Sequence, residues 1–210
     1  PDSGERIFTS VVIDGKTYYA NTNGTLKTGL QRVYNSAKRV YESFYYGTDG
    51  QLHTGWQEIS GQKYYFDPAD GVMKTGYQKE LPVYGSAADE NREDDAPGGS
   101  MGAAETAGYY FNASGVMQTG WILSPEKNEA GKTVNVWRYF GADGREHEYT
   151  RLGDRTPMGE QNTAYVWYEV EEILPDEGKT AVKHIFCIYN NKTVLKNFYN
   201  IGSLNKYRYY

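Results

Sequence analysis

The chain has 210 residues, with 22 Lys and Arg against 27 Asp and Glu, a net charge of −5. That balance argues against a binder of the nucleic-acid phosphate backbone, and no apolar stretch approaches the ~18 residues of a membrane-spanning helix. Leu, Ile, Val and Phe together are under a fifth of the residues, whereas Tyr numbers 21 and Trp 4, so tyrosine takes over much of the aliphatic role and an ordinary α/β enzyme core is disfavoured.

In chain order, Pro1-Asp2-Ser3-Gly4 has neither a basic start nor an apolar core, so no export signal is expected in the chain. A repeat follows. Three residues, mostly aromatic, lead after four residues to Gly, then to Leu or Met, then to Thr-Gly. The copies are Tyr18-Tyr19-Ala20 with Gly24, Leu26 and Thr28-Gly29, and Phe44-Tyr45-Tyr46 with Gly50, Leu52 and Thr54-Gly55. Tyr64-Tyr65-Phe66 follows with Gly71, Met73 and Thr75-Gly76, one residue longer, then Tyr109-Tyr110-Phe111 with Gly115, Met117 and Thr119-Gly120. A fifth copy, Arg138-Tyr139-Phe140 with Gly144, loses Thr-Gly. Insertions at 31–40, 79–107 and 122–133 separate the copies and read as solvated loops. The acidic run within 86–107 lacks the ordered alternation and fixed Gly of a calcium loop, so calcium binding there is only weakly signalled.

Each copy reads as a β-hairpin. Alternation puts the first and third aromatics on one face and the middle one on the other. Asn-Gly, Asp-Gly and Ser-Gly at the turns suit a tight reversal. A lone hairpin is marginal in water, so consecutive hairpins are expected to stack, each covering its neighbour's aromatic face. The predicted fold is all-β: a solenoid-like row of stacked hairpin repeats over 1–150, and a C-terminal β unit over 151–210 that caps it. In the second part, Ala164–Val170, Lys183–Tyr189 and Thr193–Phe198 read as strands, with a turn at Pro175-Asp176-Glu177-Gly178. The single cysteine, Cys187, sits in the apolar run Ile185–Tyr189 and reads as a buried strand residue.

No phosphate loop, dinucleotide fingerprint, nucleophile elbow or metal-spaced Cys/His set is present, and His53, His147 and His184 lie far apart. On a strand, Glu146 and Glu148 would share a face with His147 pointing away, which disfavours a joint metal site. No catalysis, cofactor or metal is expected.

The stretch Gly55-Trp56-Gln57-Glu58-Ile59-Ser60-Gly61-Gln62-Lys63-Tyr64-Tyr65-Phe66-Asp67, with the later Gly108-Tyr109-Tyr110-Phe111-Asn112 and Thr119-Gly120-Trp121, resembles the cell-wall-binding or glucan-binding repeat of Gram-positive surface proteins. Choline-binding modules are relatives. The resemblance covers roughly residues 12–145 and implies a non-catalytic, secreted or cell-surface module for a cell-wall or environmental polysaccharide. Candidate ligand rings at the repeat junctions are Tyr45, Trp56, Tyr65, Tyr77, Tyr110, Trp121, Trp137 and Tyr139. Choline-binding relatives carry a Trp before the aromatic triplet; here Thr17, Ser43, Lys63 and Gly108 stand there, and only the last copy has it, at Trp137. Choline is therefore expected only at Trp121, Trp137 and Tyr139, a cation–π arrangement. The competing expectation is a structural spacer or adhesin that contacts a protein through its insertions or C-terminal unit.

Overall fold

The computed structural model describes residues 9–21, 23–85, 105–154, 160–173, 181–190 and 193–199. All of the regular structure in these residues is strand. The chain divides into two compact units, residues 1–117 and 118–210. The first holds β1 (Thr9–Ile13), β2 (Lys16–Ala20), β3 (Gly29–Asn35), β4 (Val40–Tyr46), β5 (Leu52–His53), β6 (Gly55–Ile59), β7 (Gln62–Phe66), β8 (Gly76–Pro82) and β9 (Thr106–Phe111).

The long antiparallel hairpins are out of phase with the copies read from the sequence: each joins the strand after one copy's Thr-Gly to the aromatic triplet of the next copy, in one register. Within a copy, the triplet meets the Leu or Met after its turn glycine only through a short bridge. The glycine of Thr-Gly lies opposite the third aromatic: Gly29 faces Tyr46, Gly55 faces Phe66 and Gly76 faces Phe111. The next residue lies opposite the middle tyrosine: Leu30 faces Tyr45, Trp56 faces Tyr65 and Tyr77 faces Tyr110. Directly opposed side chains are the stabilising pairs of a sheet. Alternation then sends the third aromatics inward, where Tyr46, Phe66 and Phe111 are buried. Burial pushes the Tyr46 hydroxyl pKa up to about 12, with the nearby Tyr19 adding to it.

The hairpins of this unit pile up as the repeat requires. The middle ring of one repeat lies on the third ring of the next: Tyr19 stacks on Tyr46 at 5.6 Å and Tyr45 on Phe66 at 6.0 Å. The returning segment of one repeat also hydrogen-bonds to the preceding hairpin: Met73 N–H donates to the Ser43 carbonyl (2.8 Å) and Met117 N–H to the Lys63 carbonyl (2.9 Å). A second seam runs through the turns. A Cβ at Gly50 would stand 2.8 Å from Leu26 Cβ, and one at Gly71 would stand 2.8 Å from Leu52 Cδ2. The Leu or Met of each of the first three copies thus rests on the turn glycine of the following one, and only glycine leaves it room.

A feature absent from the sequence reading fixes the exit from each hairpin. Gln31, Gln57 and Gln78, each three residues after the Thr of Thr-Gly, donate Nε2 to the carbonyls of Thr28, Thr54 and Thr75 at 2.6, 2.9 and 2.9 Å. The bond spans the left-handed glycine, which at Gly55 has φ 68°. Gln57→Ala is expected to cost about 1 kcal/mol, the net worth of such a bond. Urea denaturation checks this; an unchanged midpoint would mean that the glutamine merely decorates the turn.

The insertion 31–40 is not a loop. It lengthens β3 and β4 into a hairpin of two seven-residue strands, closed by turn residues 36–39, in which Tyr34 faces Tyr41 and Asn35 faces Val40. Cross-strand pairing satisfies its backbone better than open loop would. Insertion 122–133 does the same between β10 (Gly120–Lys127) and β11 (Thr133–Phe140). Insertion 79–107 extends β8 and β9 at its two ends. Its acidic stretch, residues 86–104, lies outside the described residues, as do the turn at 175–178 and the C-terminal Tyr207–Tyr210.

The second unit continues with β12 (Glu146–His147), β13 (Tyr149–Gly153), β14 (Tyr165–Ile173), β15 (Ala181–Tyr189) and β16 (Thr193–Tyr199). The last four form one antiparallel sheet in sequence order. The contact division at 117/118 differs from the 150/151 boundary suggested by the repeats. The fifth repeat shares a core with the C-terminal sheet: Tyr139 packs with Val170 and Phe186, and Trp121 lies against them. Cys187 is 1% exposed, and burial raises its thiol pKa to about 11. A thiolate reagent should therefore react only as this sheet opens.

Candidate functional site: aromatic clusters in two units

In the first unit, Trp56 is the hub of a cluster. Tyr109 (4.8 Å) and Tyr65 (5.3 Å) meet it edge-on, as does Tyr84 (5.8 Å), and Phe111 tilts against it at 5.8 Å. Trp56 is 2% and Tyr65 4% exposed. The indole Nε1 donates to the Pro82 carbonyl at 2.6 Å. Pro82 and Tyr84 come from insertion 79–107, which the sequence reads as a solvated loop and in which Tyr84 is not among the candidate rings. Val83-Tyr84 just after a strand was the available signal.

Lys63 stands where choline-binding relatives place a Trp. Its Nζ lies 4.0 Å from the centroid of the Tyr84 ring, which is 39% exposed. The chain thus places its own ammonium on an aromatic face at this corner, a cation–π contact whose positive charge repels an external cation there. Among the other candidates of this unit, Tyr45 is half-buried between His53 (5.7 Å) and Phe66. Tyr77 and Tyr110 are a half-buried facing pair.

In the second unit, Trp121 gathers five rings. Tyr149 lies at 4.9 Å, Phe186 at 5.4, Tyr139 at 5.5, Tyr168 at 5.6 and Trp137 at 6.3. The fold positions them simply: Trp121 faces Tyr139 across β10–β11, and Trp137 is two residues from Tyr139 on the same strand face. The expected trio of Trp121, Trp137 and Tyr139 is therefore brought together. Tyr139 is 6% exposed and lies 5.0 Å from Phe186, so it faces the core, while Trp137 is half-buried and Tyr149 is 39% exposed. Tyr149 was not among the candidates; its hydroxyl donates to the Trp137 carbonyl at 3.1 Å. Burial raises the Tyr149 hydroxyl pKa, with Tyr168 adding to it. The Nε1 atoms of Trp121 and Trp137 are buried without an acceptor among the described residues. A buried N–H of this kind favours an acceptor oxygen.

Charge steadies the outer strands of this unit. Arg138 forks onto Glu126 through Nε (2.7 Å) and Nη2 (2.8 Å), and its Nη1 pairs with Glu146. The Arg138 hydrogen bonds hold the Glu126 carboxyl below its ordinary range. A depressed carboxylate contributes stability above its unfolded pKa and loses it as pH falls through the folded value. Glu126→Gln is therefore expected to lower stability at neutral pH and to reduce the loss on acidification below about pH 4.3. Denaturation midpoints at pH 7 and pH 3 test this; equal sensitivity in both proteins would discount the pair.

His147 lies edge-on to Tyr139 at 6.3 Å while Glu146 is held by Arg138, and no group of three metal-capable side chains occurs among the described residues. Among the described residues no helix is long and apolar enough to cross a membrane.

Residues 53–86 match the model of the choline-binding repeat, and residues 13–26 and 109–117 match that of the putative cell wall binding repeat. All of these matched segments lie in the first unit. Among solved structures, the chain is similar to choline binding protein F from Streptococcus pneumoniae, with 25% identity over 66% of this chain and 41% of that one and a TM-score of 0.37. It is also similar to CbpJ from Streptococcus pneumoniae TIGR4 (19% identity, 89% of this chain, 42% of that one, TM-score 0.43). A third is the multimodular pneumococcal cell wall endolysin from phage Cp-1, complexed with choline (16% identity, 76% and 42%, TM-score 0.37). The chain spans about two fifths of the length of each. No curated protein matches it.

Proposed function

We propose that the chain is a non-catalytic module acting outside the cell, secreted or at the surface, that binds a saccharide of the cell wall or its surroundings. The Trp121 cluster carries this reading. Trp137 is half-buried and Tyr149 is 39% exposed, so both offer ring surface on which a sugar can stack. A quaternary ammonium would compete for the same ring surface. The candidate rings Tyr45, Tyr77 and Tyr110 serve as weaker stacking positions at successive repeats, so affinity is summed over sites. In this reading residues 151–210 act as the cap of the row.

The test is titration of the full chain with purified glucan, peptidoglycan fragments and choline. Trp137→Ala should weaken saccharide binding about tenfold, the loss of roughly 1.4 kcal/mol of contact, with circular dichroism unchanged. Undiminished affinity in that variant, or choline as the sole ligand of the wild-type chain, would defeat the saccharide assignment.

A further inference from the structure

The lengthened hairpin of β3 and β4 has an outward face unlike any other described part of the chain. Leu30, Arg32 and Tyr34 alternate along β3, opposite Tyr45, Ser43 and Tyr41 of β4. Tyr34 and Tyr41 are 52% and 59% exposed, and their rings touch at 5.1 Å. Arg32 is exposed, and its guanidinium carbon lies 4.4 Å from the centre of the Tyr41 ring. Elsewhere the tyrosines are mostly buried between hairpins; here two are presented side by side to solvent.

The other face explains why this platform is firm. Asn35 Nδ2 donates to Glu42 Oε2 at 2.8 Å, and Lys38 Nζ pairs with Glu42 Oε1 at 2.7 Å. The only nearby carboxylate of the hairpin is thus already taken, by a lysine rather than by Arg32. Among the described residues Arg32 has no carboxylate partner, and the hairpin adds Lys38 and Arg39 in a chain of net charge −5. The guanidinium lies over the Tyr41 ring with no carboxylate partner among the described residues, so its N–H groups remain available to receive a carboxylate through two bonds.

We infer that Arg32, Tyr34 and Tyr41 form a binding site for an acidic saccharide whose carboxylate is attached to the sugar ring. The ring stacks on Tyr34 while its carboxylate meets the Arg32 fork. Arg32 and Tyr34 are neighbours on one face of β3, about 7 Å apart along the strand, so anion and stacked ring fit within one sugar residue, which favours a uronic acid over a phosphate linking two sugars. Tyr45, on the same strand face, is four residues or about 14 Å along β4 from Tyr41. It gives a continuing chain a second ring. The inference uses no residue of the Trp121 cluster, so it stands or falls apart from the reading above.

The experiment titrates the full chain with an oligomer of galacturonic acid, a neutral oligosaccharide of equal length and a sugar phosphate. The uronic acid oligomer should bind about tenfold tighter than the neutral one, and added salt should erode that preference. Arg32→Gln should abolish the preference while leaving neutral binding as it was, Arg32→Lys should restore it in part, and Tyr34→Ala should weaken the uronic acid oligomer a few-fold. Arg32 is exposed, so these variants are expected to fold. Equal affinity for acidic and neutral oligomers, tighter binding of the sugar phosphate, no binding of the acidic oligomer, or indifference to Arg32→Gln would each overturn the assignment. Trp137→Ala should leave the acid preference intact even if it abolishes binding at the other cluster.

Discussion

Trp56→Ala is expected to destabilise the first unit by about 3–5 kcal/mol, the range for truncating a buried large aromatic. The side chain is 2% exposed and touches four rings contributed by β6's partner strand, by β9 and by the segment after β8. Its removal leaves a void that the hairpin backbones cannot close, because their spacing is set by main-chain hydrogen bonds. The Pro82 carbonyl also loses its donor, a further cost for a partly buried acceptor. Trp56→Phe retains much of the ring contact and should lose only the smaller part. Guanidinium denaturation of both variants measures the difference. A loss under ~1.5 kcal/mol in the alanine variant would be too small for this mechanism, and would return Trp56 to the ligand surface.

Gly115→Ala is the second large effect, expected at about 2–4 kcal/mol. Two separate penalties combine. Gly115 has φ 81°, and a left-handed backbone costs a residue with a Cβ about 1–2 kcal/mol. The new methyl would also overlap Sδ, Cε and Cγ of Met73 from the preceding repeat; the end of that flexible side chain can shift, so overpacking adds only the lower part of its usual range, about 1–2 kcal/mol. A double-variant cycle separates the two. Met73→Ala loses packing by itself, yet it should make Gly115→Ala distinctly less harmful, since only the backbone penalty remains. Additive losses would show that the seam does not transmit the clash. The same cycle on Gly50 and Leu26, whose Cβ would stand 2.8 Å away, tests whether the seam is general.

Much of the hairpin row was legible because the repeat encodes it locally. Tyr18-Tyr19, Tyr64-Tyr65-Phe66 and Tyr109-Tyr110-Phe111 mark strands, and turn glycines such as Gly71 and Gly115 take the positive φ that their position implies. The strands at Tyr165–Ile173, Ala181–Tyr189 and Thr193–Tyr199 were likewise visible from alternation and β-rich composition. What escaped was set by pairing between segments. Val33-Tyr34 and Val40-Tyr41 become strand only because each supplies the other's partner, and the charged Lys38-Arg39 between them disguises a turn as a solvated loop. Tyr84 acquires meaning only when β8 brings it to Trp56, and Tyr149 only when β13 brings it to Trp121. The fifth repeat joins the C-terminal sheet because Val170 and Phe186, far along the chain, complete its core. No local pattern near Tyr139 announces that.

The turn seam and the lengthened strands sit at opposite ends of each hairpin. Leu26, Leu52 and Met73 lock against Gly50, Gly71 and Gly115 at one end, whereas the added residues of β3–β4 extend the other. Growth at the free end leaves every lock untouched. Such a row can acquire new outward-facing chemistry copy by copy, with natural selection varying the tips while the mutual fit of the repeats stays under separate constraint.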